Sequence, residues 1–323
     1  MPTPADHPPL RLPARDIPVP TSVSPEARAM LARPSNASPN YPALDDTPAW
    51  RARAEAQDRQ MWAILETPVS LMPVDVTRRR IDGGPDVYVA TPHEPDEAAP
   101  VHLYLHGGGF TTGGGDCCRG LGVVMADRYK APTWAVDYRM PPDHTYPTPL
   151  DDCLAAYREL LRHHGPEDIV VSGESAGGNL AAALLLRARD EGLPLPAAAL
   201  LFTPEVDLTE SGDSFHTNLG LDPVLPRSLM PANLLYSAGH DLQHPYLSPL
   251  FGDFSQGFPP TLITAGTRDL FLSNAVRLHR ALRNAGIHAE LHIMEAAPHG
   301  GFFGITPEDR EIEGEARRFM RRR

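Results

Sequence analysis

Ser175 lies in the run Gly173-Glu174-Ser175-Ala176-Gly177, the spacing of a nucleophile held on a tight turn. An apolar strand, Ile169 to Val171, precedes it, and an Ala/Leu-rich helix, Ala176 to Asp190, follows. Strand, turn and helix around G-x-S-x-G demand small residues where backbones crowd, and push the serine to the carboxyl end of its strand. At that place the helix N-terminus favours developing negative charge. A glycine-rich loop with Ser175 as a helix cap is the competing reading. The flanking strand and helix favour the nucleophile.

A serine hydroxyl attacks an acyl group only with a base beside it, an acid to orient the base, and donors for the oxyanion. The donors are sought in His106-Gly107-Gly108-Gly109-Phe110, directly after the apolar strand Val101 to Leu105. Glycines let backbone N–H groups approach a substrate closely, so Gly108 and Gly109 are expected to donate, with Ala176 as third donor. The run lacks a phosphate-loop pattern. His106 is expected to brace the loop rather than act as a base.

Fourteen histidines compete for the role of base, and position decides among them. His299, in Ala297-Pro298-His299-Gly300-Gly301-Phe302, follows the strand Leu291 to Met294 and sits on a loop that can reach the serine. His279, His288 and His292 fall within a helix or strand instead. The acid is placed at Asp269, in Gly266-Thr267-Arg268-Asp269 after the strand Thr261 to Thr264. Its rivals are Asp241, inside an inserted segment, and Glu295, too near His299 along the chain. The order Ser, Asp, His agrees with one known arrangement of such triads.

Around these residues the chain reads as alternating strands and helices. Val74 to Arg79 and Val87 to Thr91 are expected near a sheet edge. Thr133 to Val136 and Ala197 to Phe202 join the apolar runs above as buried strands. Helices are expected over Leu150 to Arg162, Ala176 to Asp190, Ser273 to Asn284 and Glu308 to Met320. This predicts an α/β fold, a mostly parallel central sheet flanked by helices. Before it, residues 1–23 read as a proline-rich arm. Ser24-Pro25-Glu26 reads as a helix start. Thr47 to Glu66 reads as a helix with an apolar stripe of Trp50, Ala54, Met61, Trp62 and Ile64 to Leu65. Residues 1–73 are thus expected to form an arm and cap helices, and 74–323 a catalytic domain. Within the latter, about 205–258 is too long for a plain loop and is expected to be a cap insertion.

Of 323 residues, 41% are hydrophobic and 22% charged, as in ordinary soluble domains. The net charge of −12 argues against nucleic acid or an anionic membrane as partner, since both are bound through Lys and Arg. Cys117, Cys118 and Cys153 show no zinc-ligand spacing, and a reduced, cytoplasmic setting is expected. No stretch is apolar enough for a signal peptide or a membrane span.

Taken together, these motifs resemble the hormone-sensitive-lipase-like branch of the α/β-hydrolases, from about Val101 to Phe303. The resemblance also rests on Val136-Asp137-Tyr138-Arg139-Met140-Pro141-Pro142 and Ser248-Pro249-Leu250. It implies a carboxylester hydrolase for small-molecule esters of short to medium acyl chain, with triad Ser175, Asp269 and His299 and oxyanion donors Gly108, Gly109 and Ala176. It implies a cap from the N-terminal helices and the insertion, and a homodimer through the edge strand near Leu291 to Met294. The chemistry requires no cofactor and no metal. Lactone or amide hydrolysis and acyl transfer to an alcohol share this machinery. A non-catalytic receptor on the same scaffold would commonly lack a triad member, and none is missing here. Two residues depart from the family pattern. Glu174 stands where Asp is commoner and is expected to brace the elbow or cap. Glu205 stands where an aromatic is often found. It is expected either to hold a water or cap residue near the site, or to be a solvated strand-end acid.

Overall fold

Eight strands line up edge to edge in the computed structural model, which describes residues 9–11, 13–14, 16–33 and 40–321. They are β1 (Val74–Arg80), β2 (Asp86–Pro92), β3 (Val101–Leu105), β4 (Thr133–Asp137), β5 (Ile169–Glu174), β6 (Ala198–Phe202), β7 (Thr261–Gly266) and β8 (Ala289–Met294). Their order is β1-β2-β4-β3-β5-β6-β7-β8. Strand β2 runs antiparallel to both neighbours, and β4 through β8 pair in parallel. Parallel pairing needs helical crossovers, which cover both faces.

The helices are α1 (Pro25–Leu31), α2 (Thr47–Ser70), α3 (Asp116–Tyr129), α4 (Thr148–Leu160), α5 (Ala176–Asp190), α6 (Ser214–Thr217), α7 (Met230–Ser237), α8 (Leu272–Asn284) and α9 (Pro307–Arg321). Side chains alternate across the sheet. Leu103, Leu105, Val171, Leu201 and Ile263 face α4, α5 and α8, through Leu154, Leu180, Leu184 and Leu278. Tyr104, Ala135, Val170, Leu200 and Leu262 face α3 and α9, through Met125, Tyr129 and Phe319. Each large apolar side chain fully buried this way contributes about 1.5–3 kcal/mol.

Helix α3 is absent from the sequence expectations. Gly120 and Gly122 interrupt its apolar periodicity, and packing explains them. A Cβ at Gly122 would lie 2.8 Å from the Ala135 Cβ, and one at Gly120 would lie 3.0 Å from the Trp62 ring. The helix presses so closely on β4 and α2 that two of its contact positions have no room for a side chain.

Helix α1 starts where Ser24-Pro25 places it. The Ser24 hydroxyl accepts the Ala27 N–H at 3.2 Å and donates to Glu308 at 2.9 Å. Ala27 packs with Met294, Ala297 and Phe302, beneath the loop that carries His299. The described residues between 9 and 23 form no helix or strand; residues 1–8, 12 and 15 of the expected arm lie outside the described set. Helix α2 begins at Thr47, capped by the Asp46 carboxylate, and runs four residues past the expected Glu66. Its last turn buries Val69 against Ala90, Val123 and Ala126. Trp50 is buried, whereas Ile64 of the expected stripe faces solvent.

Residues 205–258 carry α6, α7 and two 3₁₀ turns, Pro249–Phe251 and Phe254–Gln256. Their attachment is polar and specific. Leu208 N–H donates to Ser248 Oγ at 2.8 Å, and Asn179 of α5 donates to the carbonyls of Glu205 and Leu247, both at 2.7 Å. Among the described residues, no helix is long and apolar enough to cross a membrane.

Candidate active site

Ser175 stands between β5 and α5 with φ 56° and ψ −121°, a conformation that side chains rarely adopt. The surroundings hold it there. Its N–H donates to the Phe202 carbonyl at 2.9 Å, and its own carbonyl accepts from Glu205 N–H at 3.2 Å. A Cβ at Gly177 would overlap the carbonyl oxygens of Leu105 and His106, and one at Gly173 the carbonyl of Gly177. The G-x-S-x-G glycines are therefore required by close backbone approach. Ser175 is 7% exposed and His299 6%.

His299 lies on the loop after β8. Its Nδ1 faces Asp269 Oδ1 at 3.2 Å, and Phe271 meets the imidazole edge-on at 4.8 Å between ring centroids. Asp269 is fully buried just after β7, and its Oδ1 also accepts the Phe271 N–H at 2.8 Å. With Oδ1 as acceptor, Nδ1 carries the imidazole proton and Nε2 keeps a lone pair. Burial pulls the His299 pKa down. The Asp269 carboxylate, with Asp222 and Glu174, outweighs it and holds the imidazole above the ordinary histidine value.

Two residues of the insertion join this pair unannounced by the sequence. Asp222 Oδ2 accepts the His299 N–H at 3.0 Å and the Leu270 N–H at 3.1 Å. Its Oδ1 accepts the Val224 and Leu225 N–H groups at 2.8 and 3.0 Å. Asn218 donates to the carbonyls of Asp269 and Thr267, at 2.9 and 3.2 Å. One carboxylate and one carboxamide thus tie the insertion to the loops carrying both His299 and Asp269. The only advance signal was an Asp-Pro pair at 222–223, which marks a turn and no partner. Asp241, a rival for the acid, instead accepts the Gln243 N–H of its own turn.

Gly107 lies against the nucleophile: a Cβ there would meet the Glu174 carbonyl at 3.1 Å and Ser175 Cβ at 3.3 Å. Gly108 and Gly109 follow at φ 119° and 57°. Among the described residues neither gives its N–H to a backbone acceptor. Ala176, the first residue of α5, likewise has no intrahelical acceptor. The loop closes on itself where Gly108 O accepts the Thr111 and Thr112 N–H groups, and it is pinned from outside where Gly113 N–H donates to Asp58 and Gly115 N–H to Asp137. His106 is buried and stacks on Tyr138 at 4.1 Å. Burial takes its pKa down to about 4. Its Nδ1 lies 2.8 Å from Gly107 O, and its carbonyl accepts the Tyr138 hydroxyl at 2.7 Å.

Glu174 is half-buried at the end of β5, with Oε1 against Gly300 beside His299. Burial raises its pKa, opposed by the fields of His299 and Arg128. Glu205 is fully buried, which excludes the solvated strand-end reading. It accepts the Asn233 Nδ2 of α7 at 2.8 Å and so does hold a residue of the insertion. Burial moves its pKa up to about 8.

A strained serine at a strand–helix turn, an Asp–His pair on the next loops of a parallel sheet, and a glycine run beside the serine define the α/β-hydrolase class. Residues 102–303 match the family model described as alpha/beta hydrolase fold. The chain belongs to this family, within its hormone-sensitive-lipase-like bacterial branch. An esterase from the bacterial hormone-sensitive lipase family superposes with TM-score 0.76 at 30% identity, covering 94% of this chain and 99% of that one. Esterase E25 superposes with TM-score 0.87 at 31% identity, covering 97% and 98%. Carboxylesterase NlhH of Mycobacterium tuberculosis is 31% identical over 77% of this chain and 83% of its own length. An acetyl-hydrolase of Streptomyces hygroscopicus is 38% identical over 57% of this chain, which spans 62% of that relative's length.

Proposed function

We propose that this protein is a serine carboxylesterase acting on small-molecule esters of short to medium acyl chain. The carrying observation is the contact of 3.2 Å between His299 Nδ1 and Asp269 Oδ1 on loops beside a strained Ser175. The printed names of its relatives support the same reading: esterase, carboxylesterase, acetyl-hydrolase.

In this mechanism Ser175 Oγ attacks the ester carbonyl carbon while His299 Nε2 takes the hydroxyl proton. Asp269 stabilises the imidazolium. The N–H groups of Gly108, Gly109 and Ala176 donate to the oxyanion, assisted by the dipole of α5. The carbonyl re-forms, the alkoxide leaves with the proton from His299, and Ser175 stays acylated. Water then enters, gives its proton to His299 and releases the acid. Helices α1 and α2 with residues 205–258 form the cap that sizes the acyl pocket. Three free, buried cysteines suit a cytoplasmic setting.

The test is turnover of p-nitrophenyl acetate, butyrate and octanoate. Ser175→Ala is expected to lower kcat by about 10⁴-fold or more, with acetate or butyrate the preferred ester in wild type. Equal rates in the two proteins, or a Ser175 that a fluorophosphonate never labels, would overturn the reading.

A further inference from the structure

Next to the glycine run, a ring nitrogen of His106, Cys118 Sγ and a carboxylate oxygen of Asp137 lie within 4.8 Å of one another. Each comes from a different element: the end of β3, the first turn of α3 and the end of β4. His106 and Cys118 are fully buried, and Cys118 is a free thiol.

The tautomer of His106 follows from its contacts. Nδ1 lies 2.8 Å from Gly107 O and 3.2 Å from Tyr138 Oη. The tyrosine proton is already given to the His106 carbonyl at 2.7 Å, so both neighbours of Nδ1 are acceptors. Nδ1 therefore carries the proton, and Nε2 keeps a bare lone pair. That Nε2 is buried and, among the described residues, has no hydrogen-bond partner. An imidazole that gives one N–H to a backbone carbonyl and offers the other nitrogen has the arrangement of a metal-binding histidine.

We propose that His106, Cys118 and Asp137 form a binding site for a borderline-soft divalent ion, zinc, next to the loop that carries Gly108 and Gly109. Imidazole, thiolate and carboxylate in one buried group suit zinc, and magnesium or calcium would want oxygen ligands only. Zinc holds such ligands at about 2.0–2.3 Å, so donors already this near need side-chain adjustment of about an ångström rather than a new backbone path. On binding, Cys118 gives its thiol proton to solvent as the sulfur–zinc bond forms, and water takes a fourth position. The ion is a modulator and takes no part in acyl transfer. Asp137 also accepts the Gly115 N–H at 2.9 Å. Zinc competes for that carboxylate and pulls on residues 106–115, so bound zinc slows the enzyme. This last effect rests on the proposed esterase reading; the binding does not.

The experiment titrates the full chain with cobalt(II) and zinc sulfate, in wild type, Ser175→Ala, Cys118→Ala, Cys118→Ser and Cys117→Ala. Wild type, Ser175→Ala and Cys117→Ala are expected to bind one cobalt per chain with a thiolate-to-cobalt charge-transfer band, which zinc displaces. Both Cys118 variants are expected to lose the band and bind zinc at least about 10-fold more weakly. Zinc is expected to inhibit wild-type ester hydrolysis, reversed by chelator, and to spare Cys118→Ala. A wild type without the charge-transfer band overturns the site whatever the variants do. So does equal zinc affinity in wild type and the Cys118 variants, which would place the ion on surface histidines.

Discussion

His299 is governed by three carboxylates, and only one of them faces the ring nitrogen. Asp222 acts from the backbone side, on the N–H of the same residue. The histidine must be neutral to accept the serine proton, so activity falls as pH drops through the raised His299 pKa. Replacing Asp222 with Asn removes a negative charge and keeps an acceptor, which lowers that pKa. The acid limb of kcat/KM is therefore expected to move to lower pH in Asp222→Asn, with a lower plateau as well, because one of two oxygens that each accept two N–H groups becomes an NH2. Asp222→Ala removes the acceptor too, and is expected to lose about 10²-fold in kcat as the loop shifts. A pH–rate profile of the two variants checks both statements. If the Asn variant keeps the wild-type acid limb, Asp222 has no electrostatic hold on the base. The meeting of His299 with Asp269 was legible because each follows a recognisable strand. Asp222 was not, because its partners are backbone N–H groups up to 77 positions away, which leave no mark in residue type.

The elements divide the same way. The strand–turn–helix of β5 and α5 was readable because its glycines are forced by contact. Gly177→Ala would press a methyl into two backbone carbonyls that have no freedom to retreat. We expect it to cost about 3 kcal/mol or more and to abolish activity, read as a fall in the denaturant midpoint. An unchanged midpoint would show that the elbow can relax. Glycine misled the reading in α3 for the same physical reason. There the crowding partners, Trp62 and Ala135, belong to other elements, and a single sequence does not reveal which helix will touch them. The insertion was recognisable by length, but its helices were not. Helix α7 owes its position to the Asn233–Glu205 contact as much as to its own apolar face.

The whole molecule presents two sheet edges of opposite character. The outer strand β1 carries Arg78, Arg79 and Arg80, charges that discourage edge-to-edge pairing. The other outer strand, β8, reads Ala-Glu-Leu-His-Ile-Met, with Ile293 40% exposed. We propose that β8 is the dimer edge. Sedimentation at micromolar concentration is expected to show a dimer, and Ile293→Lys to shift it toward monomer; a wild type that is monomeric throughout overturns this. The Asp222 clasp has a different consequence at this scale. It ties the stretch from Asn218 to Asp222 to the loops that carry the proposed base and its acid. Retuning the proposed esterase toward bulkier substrates must therefore leave that stretch intact, and Leu229 with it, which packs with the Phe271 that meets the His299 ring.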